Sequence, residues 1–235
     1  MENINYQADL QSFYKKRSFL AKKSFKLGNQ KTSVKLNLPF RAEREIVEDF
    51  VYQGFKNHYQ ADIQHFLPNL VSIGNNKHLK SVIGFRSAKT QPLFIEQYLD
   101  SSIETCFKDE VVGRHQIAEF GNLFGTNRAA TLQLFIITFL SLAQSGYKKL
   151  VFCATPQVKI MFDRFAVTTQ HLGTANPEMI GAQLQHWGSY YDTNPELFAI
   201  DVDEVISIIN DCKRLSMIAS KYADDIQDLA DNFIK

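Results

Sequence analysis

The sequence predicts an α/β protein (α+β in the order of its elements) built on a central mixed sheet, with helices flanking it. Three observations carry that expectation. Arg114–Phe165 reads as strand, loop, helix, strand, helix, the pattern of a parallel strand pair joined by a crossover helix. Ahead of it lie short apolar runs divided by turn signals, which suit antiparallel strands. Behind it, an apolar stripe at helical spacing runs through 203–235. We read that stripe as one extra C-terminal amphipathic helix, packed on the sheet or on a second subunit of a homodimer.

Between Met1 and Arg41 nine basic residues face two acids, Glu2 and Asp9. We read 1–41 as a basic, largely solvated N-terminal extension whose last stretch, SVKLNLPF, is a strand ending at Pro39. Its charge suits an acidic partner or contact with an anionic membrane. The whole chain nets only +1, so the remainder is acidic, and nucleic acid is not an expected partner.

Residues 42–60 read as a helix, with Ile46, Val47, Phe50, Val51, Phe55 and Tyr59 at helical spacing and Glu43 and Glu45 in the first turn. HFLPNLVSI follows, and Pro68 bars a central strand at that point. Gly74-Asn75-Asn76 signals a hairpin whose return strand is SVIGFRSA (81–88). PLFIEQYL (92–99) is a third apolar run; as a strand it puts Glu96 and Tyr98 on one face. SSIETCF (101–107) reads as a short helix capped by Ser101 or Ser102.

The strand RHQIAEFGNL (114–123) holds one acid, Glu119, among apolar residues. A carboxylate there is either paired or functional, because burying a lone charge is costly. Arg86 and Arg114 are its candidate partners. Gly121 and Asn122 tolerate the backbone angles that end or bulge a strand. Gly125-Thr126-Asn127-Arg128 then opens a helix capped by Thr126 or Asn127. Such a loop points free N–H groups and a helix dipole at one place, which favours an anion. That helix is apolar on nearly every face and is expected to be buried; Gly146 stops it. Leu150, Val151 and Phe152 make a buried parallel strand, and Pro156 starts the next helix. Further on, VTTQHLGTA holds a turn at Gly173, ANPEMIGAQLQ is a short helix, HWGSYYDTNP is an aromatic loop and ELFAIDV (196–202) is a closing strand.

Several chemistries find no support. Cys106, Cys153 and Cys212 are odd in number and far apart, so we expect reduced thiols in a cytoplasmic protein. His65, His115, His171 and His186 lack zinc-site spacing, and no metal is expected. No apolar stretch of signal-peptide kind follows the first basic residues. The apolar helix after Arg128 is too short, and too interrupted by Gln133, Thr138 and Ser141, to span a bilayer.

The blocks LFIEQYLDSSIE (93–104), IAEFGNL (117–123) and WGSYYDTNP (187–195), with HFLPNL (65–70) and VIGFRSA (82–88), resemble those of the bacterial thermostable hemolysin family. The layout also resembles the three-layer GNAT acyltransferase fold, shared by acyl-homoserine-lactone synthases. On that resemblance 42–202 is a GNAT-like domain. It implies an acyltransferase that moves an acyl group, expected to be fatty, from acyl-CoA or an acyl carrier protein to a small amine or hydroxyl acceptor. The stretch Phe124–Ala130 has one glycine, fewer than the usual coenzyme A loop. That departure favours an acyl carrier protein, which is acidic and would meet the basic extension. The family name implies a membrane-active hemolysin instead, and a non-catalytic binding module on the same fold is the third reading.

Acyl transfer from a thioester needs a base, a group that polarises the carbonyl and a site for the donor's phosphate. Glu119 is the first candidate base and Glu96 the second, with Arg114 steadying the strand or a substrate carboxylate. The strand edge at Asn122 and Leu123 offers backbone N–H groups. Gly125, Thr126, Asn127 and Arg128 are the candidate phosphate site. Arg86, Tyr98, Trp187 and Tyr190 are placed on the substrate side, although Trp187 and Tyr190 are more readily explained by packing under the last strand.

Overall fold

The computed structural model describes residues 32–75, 78–108 and 110–233. Most of the basic segment therefore lies outside the described residues. Seven strands form one sheet: β1 (Ser33–Asn37), β2 (Asn69–Asn75), β3 (His78–Ser87), β4 (Ile117–Gly125), β5 (Lys149–Ala154), β6 (Gln170–Thr174) and β7 (Glu196–Asp201), in the spatial order β1-β2-β3-β4-β5-β7-β6. Among the described strands β4 and β5 run parallel and the other neighbours are antiparallel. The hairpin at Gly74 and the parallel pair follow the sequence expectation.

Period-two alternation sorts the strand residues onto two faces. Ile83, Phe85, Ala118, Phe120, Leu150 and Phe152 turn to one face and bury against α2 (Arg128–Gln144). There Phe120 stacks on Phe152 with ring centroids 4.3 Å apart. Truncating such a ring to alanine typically costs about 3–5 kcal/mol. Ile117 and Val151 turn the other way, into a smaller cluster with Leu93, Ile95 and Ile103. On that side α1 (Arg44–Tyr59) lays Val47 and Val51 against Leu70 and Val82. Helices or loops thus cover both faces, giving three layers. Asn127 accepts from the Ala130 amide at 2.9 Å, so it rather than Thr126 caps α2. Gly146, at φ +87, ends it as expected.

Four expectations are corrected. Residues 92–99 do not form a strand; Ile95–Tyr98 is a 3₁₀ turn, because Glu96 folds back to accept from the amides of Leu93 (2.6 Å) and Ile103 (2.8 Å). The strand expected from Arg114 begins at Ile117, after a 3₁₀ turn at Arg114–Gln116, and extends to Gly125. Gly173 marks a bulge within strand β6 rather than a turn. The C-terminal stripe is three helices, α4 (Val202–Asp211), α5 (Lys213–Lys221) and α6 (Ala223–Asn232), following α3 (Pro156–Asp163) in the chain. Breaks at Cys212 and Tyr222 let each segment lay its apolar face on α2. Among the described residues no helix is long and apolar enough to cross a membrane.

Candidate active site

The parallel ladder between β4 and β5 is short. It pairs Ile117 with Lys149, Ala118 with Leu150 and Glu119 with Val151, and then stops. Beyond Glu119 the two strands continue unpaired with each other, so β4 offers backbone groups that β5 does not use. In the same stretch β4 bulges against β3: Phe124 faces Val82 and Gly121 faces Gly84, leaving Asn122 and Leu123 opposite one residue. Asn122 takes φ +47 there, a left-handed angle that asparagine tolerates better than most residues. Its Oδ1 accepts from the Leu67 amide at 2.8 Å. Gly84 is needed beside it, because a Cβ would lie 2.8 Å from a Leu70 methyl and 3.2 Å from Asn122 Oδ1.

A cavity of about 630 Å³ opens on the face away from α2, lined by β4 residues 119–123 and by Cys153 and Thr155 at the end of β5. That volume is in the range of small-molecule sites. Its lining is mainly apolar, from Phe55, Phe66, Phe94, Leu123, Trp187 and Tyr190. Two further segments line it, the loop 60–68 and the largely 3₁₀-helical stretch 182–190. The Asp62 amide donates to the His186 carbonyl at 2.7 Å, and the Ser189 amide donates to the Tyr59 carbonyl at 2.7 Å. Gly188, at φ +50, makes that second approach; a Cβ would sit 2.1 Å from the Tyr59 oxygen.

Glu119 and Arg86 are cross-strand partners on the cavity face. Arg86 Nε donates to Glu119 Oε2 at 2.7 Å. The amides of Phe94 (2.9 Å) and Ile95 (2.7 Å) donate to the same carboxylate. Glu119 is only 4% exposed. Burial raises its carboxyl, and the Arg86 guanidinium with the two amides pulls the other way. Oε2 holds two donors and Oε1 one. Among the described residues, one lone pair on Oε1 is therefore without a donor.

The other sequence candidates divide sharply. Asn122, Leu123, Arg86, Trp187 and Tyr190 line the cavity with Glu119. Glu96 and Arg114 do not. Arg114 grips both Glu96 oxygens (2.7 and 2.9 Å), Glu104 (2.8 Å) and the carbonyl of Ala88 (2.8 Å). Burial raises the Glu96 carboxyl, but Arg114 and the amides of Leu93 and Ile103 outweigh it and hold the group at about 2. A carboxylate so tied is a poor proton acceptor, and this cluster fixes the loop whose amides hold Glu119. Tyr98 sits behind the cavity wall, its hydroxyl bonded to that of Tyr191. Gly125, Thr126, Asn127 and Arg128 lie past the cavity lining, toward the N-terminus of α2. The Thr126 amide is taken by the Lys80 carbonyl at 2.9 Å, so it is not a free donor. Arg128 is exposed.

Sequence reasoning missed Phe55, Phe94 and Cys153 as cavity residues. Phe55 signals only a helix face and Phe94 only an apolar run. Cys153 follows a buried strand, and nothing in the sequence shows that β4 departs beside it. Its Sγ lies 3.7 Å from the Tyr190 hydroxyl, and burial pushes the thiol up to about 12. Trp187 and Tyr190 form an aromatic wall, with centroids 5.1 Å apart and Phe55 stacked at 6.3 Å from Tyr190. No cluster of side chains suited to a metal occurs among the described residues.

The family model for thermostable hemolysin matches residues 39–206. The chain belongs to that family. No curated protein sequence matches it. Solved structures similar to this hemolysin-family chain share its fold at low identity. The AHL synthase LasI has a TM-score of 0.51 at 11% identity, covering 73% of this chain and 90% of that one. FeeM, an N-acyl amino acid synthase from uncultured soil microbes, has 0.50 at 13%, covering 73% and 90%. BjaI, a CoA-dependent acyl-homoserine lactone synthase with SAM and isopentyl-CoA, has 0.50 at 9%, covering 79% and 89%. The three-layer mixed sheet is therefore the fold of these proteins.

Proposed function

We propose that this chain is an acyltransferase that moves an acyl group from a thioester of coenzyme A or an acyl carrier protein to a small amine. The observation that supports this best is the parting of β4 and β5 directly beyond Glu119, with a bulge and a mainly apolar cavity in the opening. An extended thioester arm fits between the strands and pairs with the backbone that β5 leaves free. A bulge N–H at Asn122 or Leu123 polarises the thioester carbonyl. The aromatic and aliphatic lining takes the acyl chain, which suits a fatty acyl group. The donor's phosphate lies toward the N-terminus of α2, where Arg128 and the first-turn amides favour an anion.

In this reading the amine nitrogen attacks the carbonyl carbon, the C–S bond breaks and the thiol leaves. Glu119 takes the amine proton through the open side of Oε1. The proton returns to the departing sulfur, so an amide and a free thiol are the products. Cys153 stays a thiol near neutral pH, and transfer is direct rather than through an acyl-enzyme. Thioesters of this kind place the reaction in the cytoplasm. The basic N-terminal segment would meet an acidic carrier protein.

A second reading, direct action on membranes, draws support from Phe40, Met179 and Leu184. All three are exposed and apolar, and Phe40 and Leu184 neighbour the cavity-lining Pro39, Gln183 and Gln185 in sequence. Release of free thiol from decanoyl-CoA and from a decanoyl carrier protein, in the presence of mixed amines, separates the two. Amine-dependent release supports transfer. No release with either donor, together with leakage of vesicles by the same protein, overturns it.

A further inference from the structure

We infer that Arg86 is the subsite for a carboxylate on the acceptor, so that the acceptor is an amino acid rather than a simple amine. The guanidinium lies on the cavity wall with its side chain 18% exposed. Its hydrogen bond among the described residues is the one from Nε to Glu119. Among the described residues, both Nη groups are therefore without a hydrogen-bond partner beside the cavity. An arginine held by one edge presents the other as a flat fork, the shape that matches a carboxylate in a two-bond contact. The pairing with Glu119 fixes the fork in place, so little side-chain entropy is lost when a ligand binds.

Glu119 does not cancel this site. Its charge is shared among Arg86 and the amides of Phe94 and Ile95. The two residues are register partners on adjacent strands. The cavity therefore shows a positive fork next to one free lone pair of a carboxylate. An α-amino acid carries the complementary pair, a carboxylate and an amine on one carbon. Bound this way, the carboxylate lies on Arg86 and the nitrogen on Glu119 Oε1, which is also the atom that receives the amine proton in acyl transfer. The surrounding Phe94, Trp187 and Phe55 then hold the acyl chain or an apolar amino-acid side chain.

The inference rests on the acyl-transfer reading for the acceptor's identity, but the anion site can be tested apart from turnover. N-dodecanoylglycine and its uncharged carboxamide are titrated into the full-length protein by calorimetry. The acid is expected to bind at least tenfold tighter than the amide. Arg86→Lys keeps a charge beside Glu119 but loses the fork, and is expected to erase most of that ratio with little change in the amide's affinity. In parallel, leucine is compared with 3-methylbutylamine, and phenylalanine with phenethylamine, as acceptors from decanoyl-CoA and the decanoyl carrier protein. The amino acids are expected to react at least tenfold faster. An acid that binds no better than its amide, or no binding of either, overturns the carboxylate subsite. Preference for the acid with no transfer to any acceptor supports the subsite and overturns the acyl-transfer reading.

Discussion

Glu119 and Val151 are the last residues at which β4 and β5 are paired, and among the described residues Glu119 is also the one acid on the wall of the cavity that opens beyond them. A buried charge held by three donors thus stands at the point where the sheet opens. Its neighbours supply what a buried carboxylate needs to remain folded in place, and leave one acceptor position over.

Replacing Glu119 with Gln keeps the shape of the side chain but removes the proton acceptor. Amine acylation is expected to fall by about 10²–10⁴, the usual worth of a positioned base. Donor affinity should change little. Because burial raises the Glu119 carboxyl, the acid limb of kcat/KM lies above the ordinary glutamate value of 4.5. Activity appears as pH rises through that limb, since the base must be ionised. Comparing pH profiles of the wild type and Glu119→Gln checks this; an unchanged profile in the variant assigns the base elsewhere.

Glu96 and Arg114 should behave differently. Removing Arg114 leaves Glu96 and Glu104 without their cation, and removing the Glu96 charge leaves Arg114 with Glu104 alone; losing Arg114 is expected to cost about 3 kcal/mol of stability and losing the Glu96 charge less. Glu96 is held below its unfolded value, so its contribution is full above about 4.5 and is lost as pH falls toward about 2. Urea unfolding of Glu96→Gln and the wild type, at pH 7 and pH 3, should show a gap that narrows in acid. The folded variant should lose far less transfer activity per molecule than Glu119→Gln, because the cluster lies outside the cavity and reaches Glu119 only through the loop it fixes.

Cys153→Ala should retain transfer within about threefold, as direct attack requires no cysteine nucleophile. A loss beyond a hundredfold, or an acylated Cys153 peptide in the wild type by mass spectrometry, would instead show a covalent route.

Arg128→Ala should weaken the donor by about tenfold while leaving the rate at saturating donor intact, since a phosphate contact on the α2 terminus binds ground and transition states alike. Its effect should shrink in high salt. Equal donor KM for the variant and the wild type would move the phosphate elsewhere.

Much of the fold was legible because periodicity reports burial. The apolar run of α2, the buried β5 and the hairpin at Gly74 all stood out in the sequence. What failed depended on long-range partners. The 92–99 segment reads as a strand until Glu96 is seen capping amides with Arg114 behind it. The C-terminal stripe reads as one helix until α2 requires it to bend twice. At the site, a lone acid in an apolar strand marked Glu119, and its pairing with Arg86 was one of two weighed. Cys153 and Phe55 were invisible, since only the parting of the strands exposes them to a common space.

The measurement that tests the account most directly is thermal unfolding of the full-length protein with decanoyl-CoA, a decanoyl carrier protein, or decanoate alone. A ligand at about a hundred times its dissociation constant stabilises the native state by about 2.7 kcal/mol, enough to raise Tm by several degrees. The account predicts a clear rise with a thioester donor, a smaller one with decanoate and a reduced one in Arg128→Ala. Unchanged Tm with both donors, from a protein that lyses vesicles on its own, would contradict it.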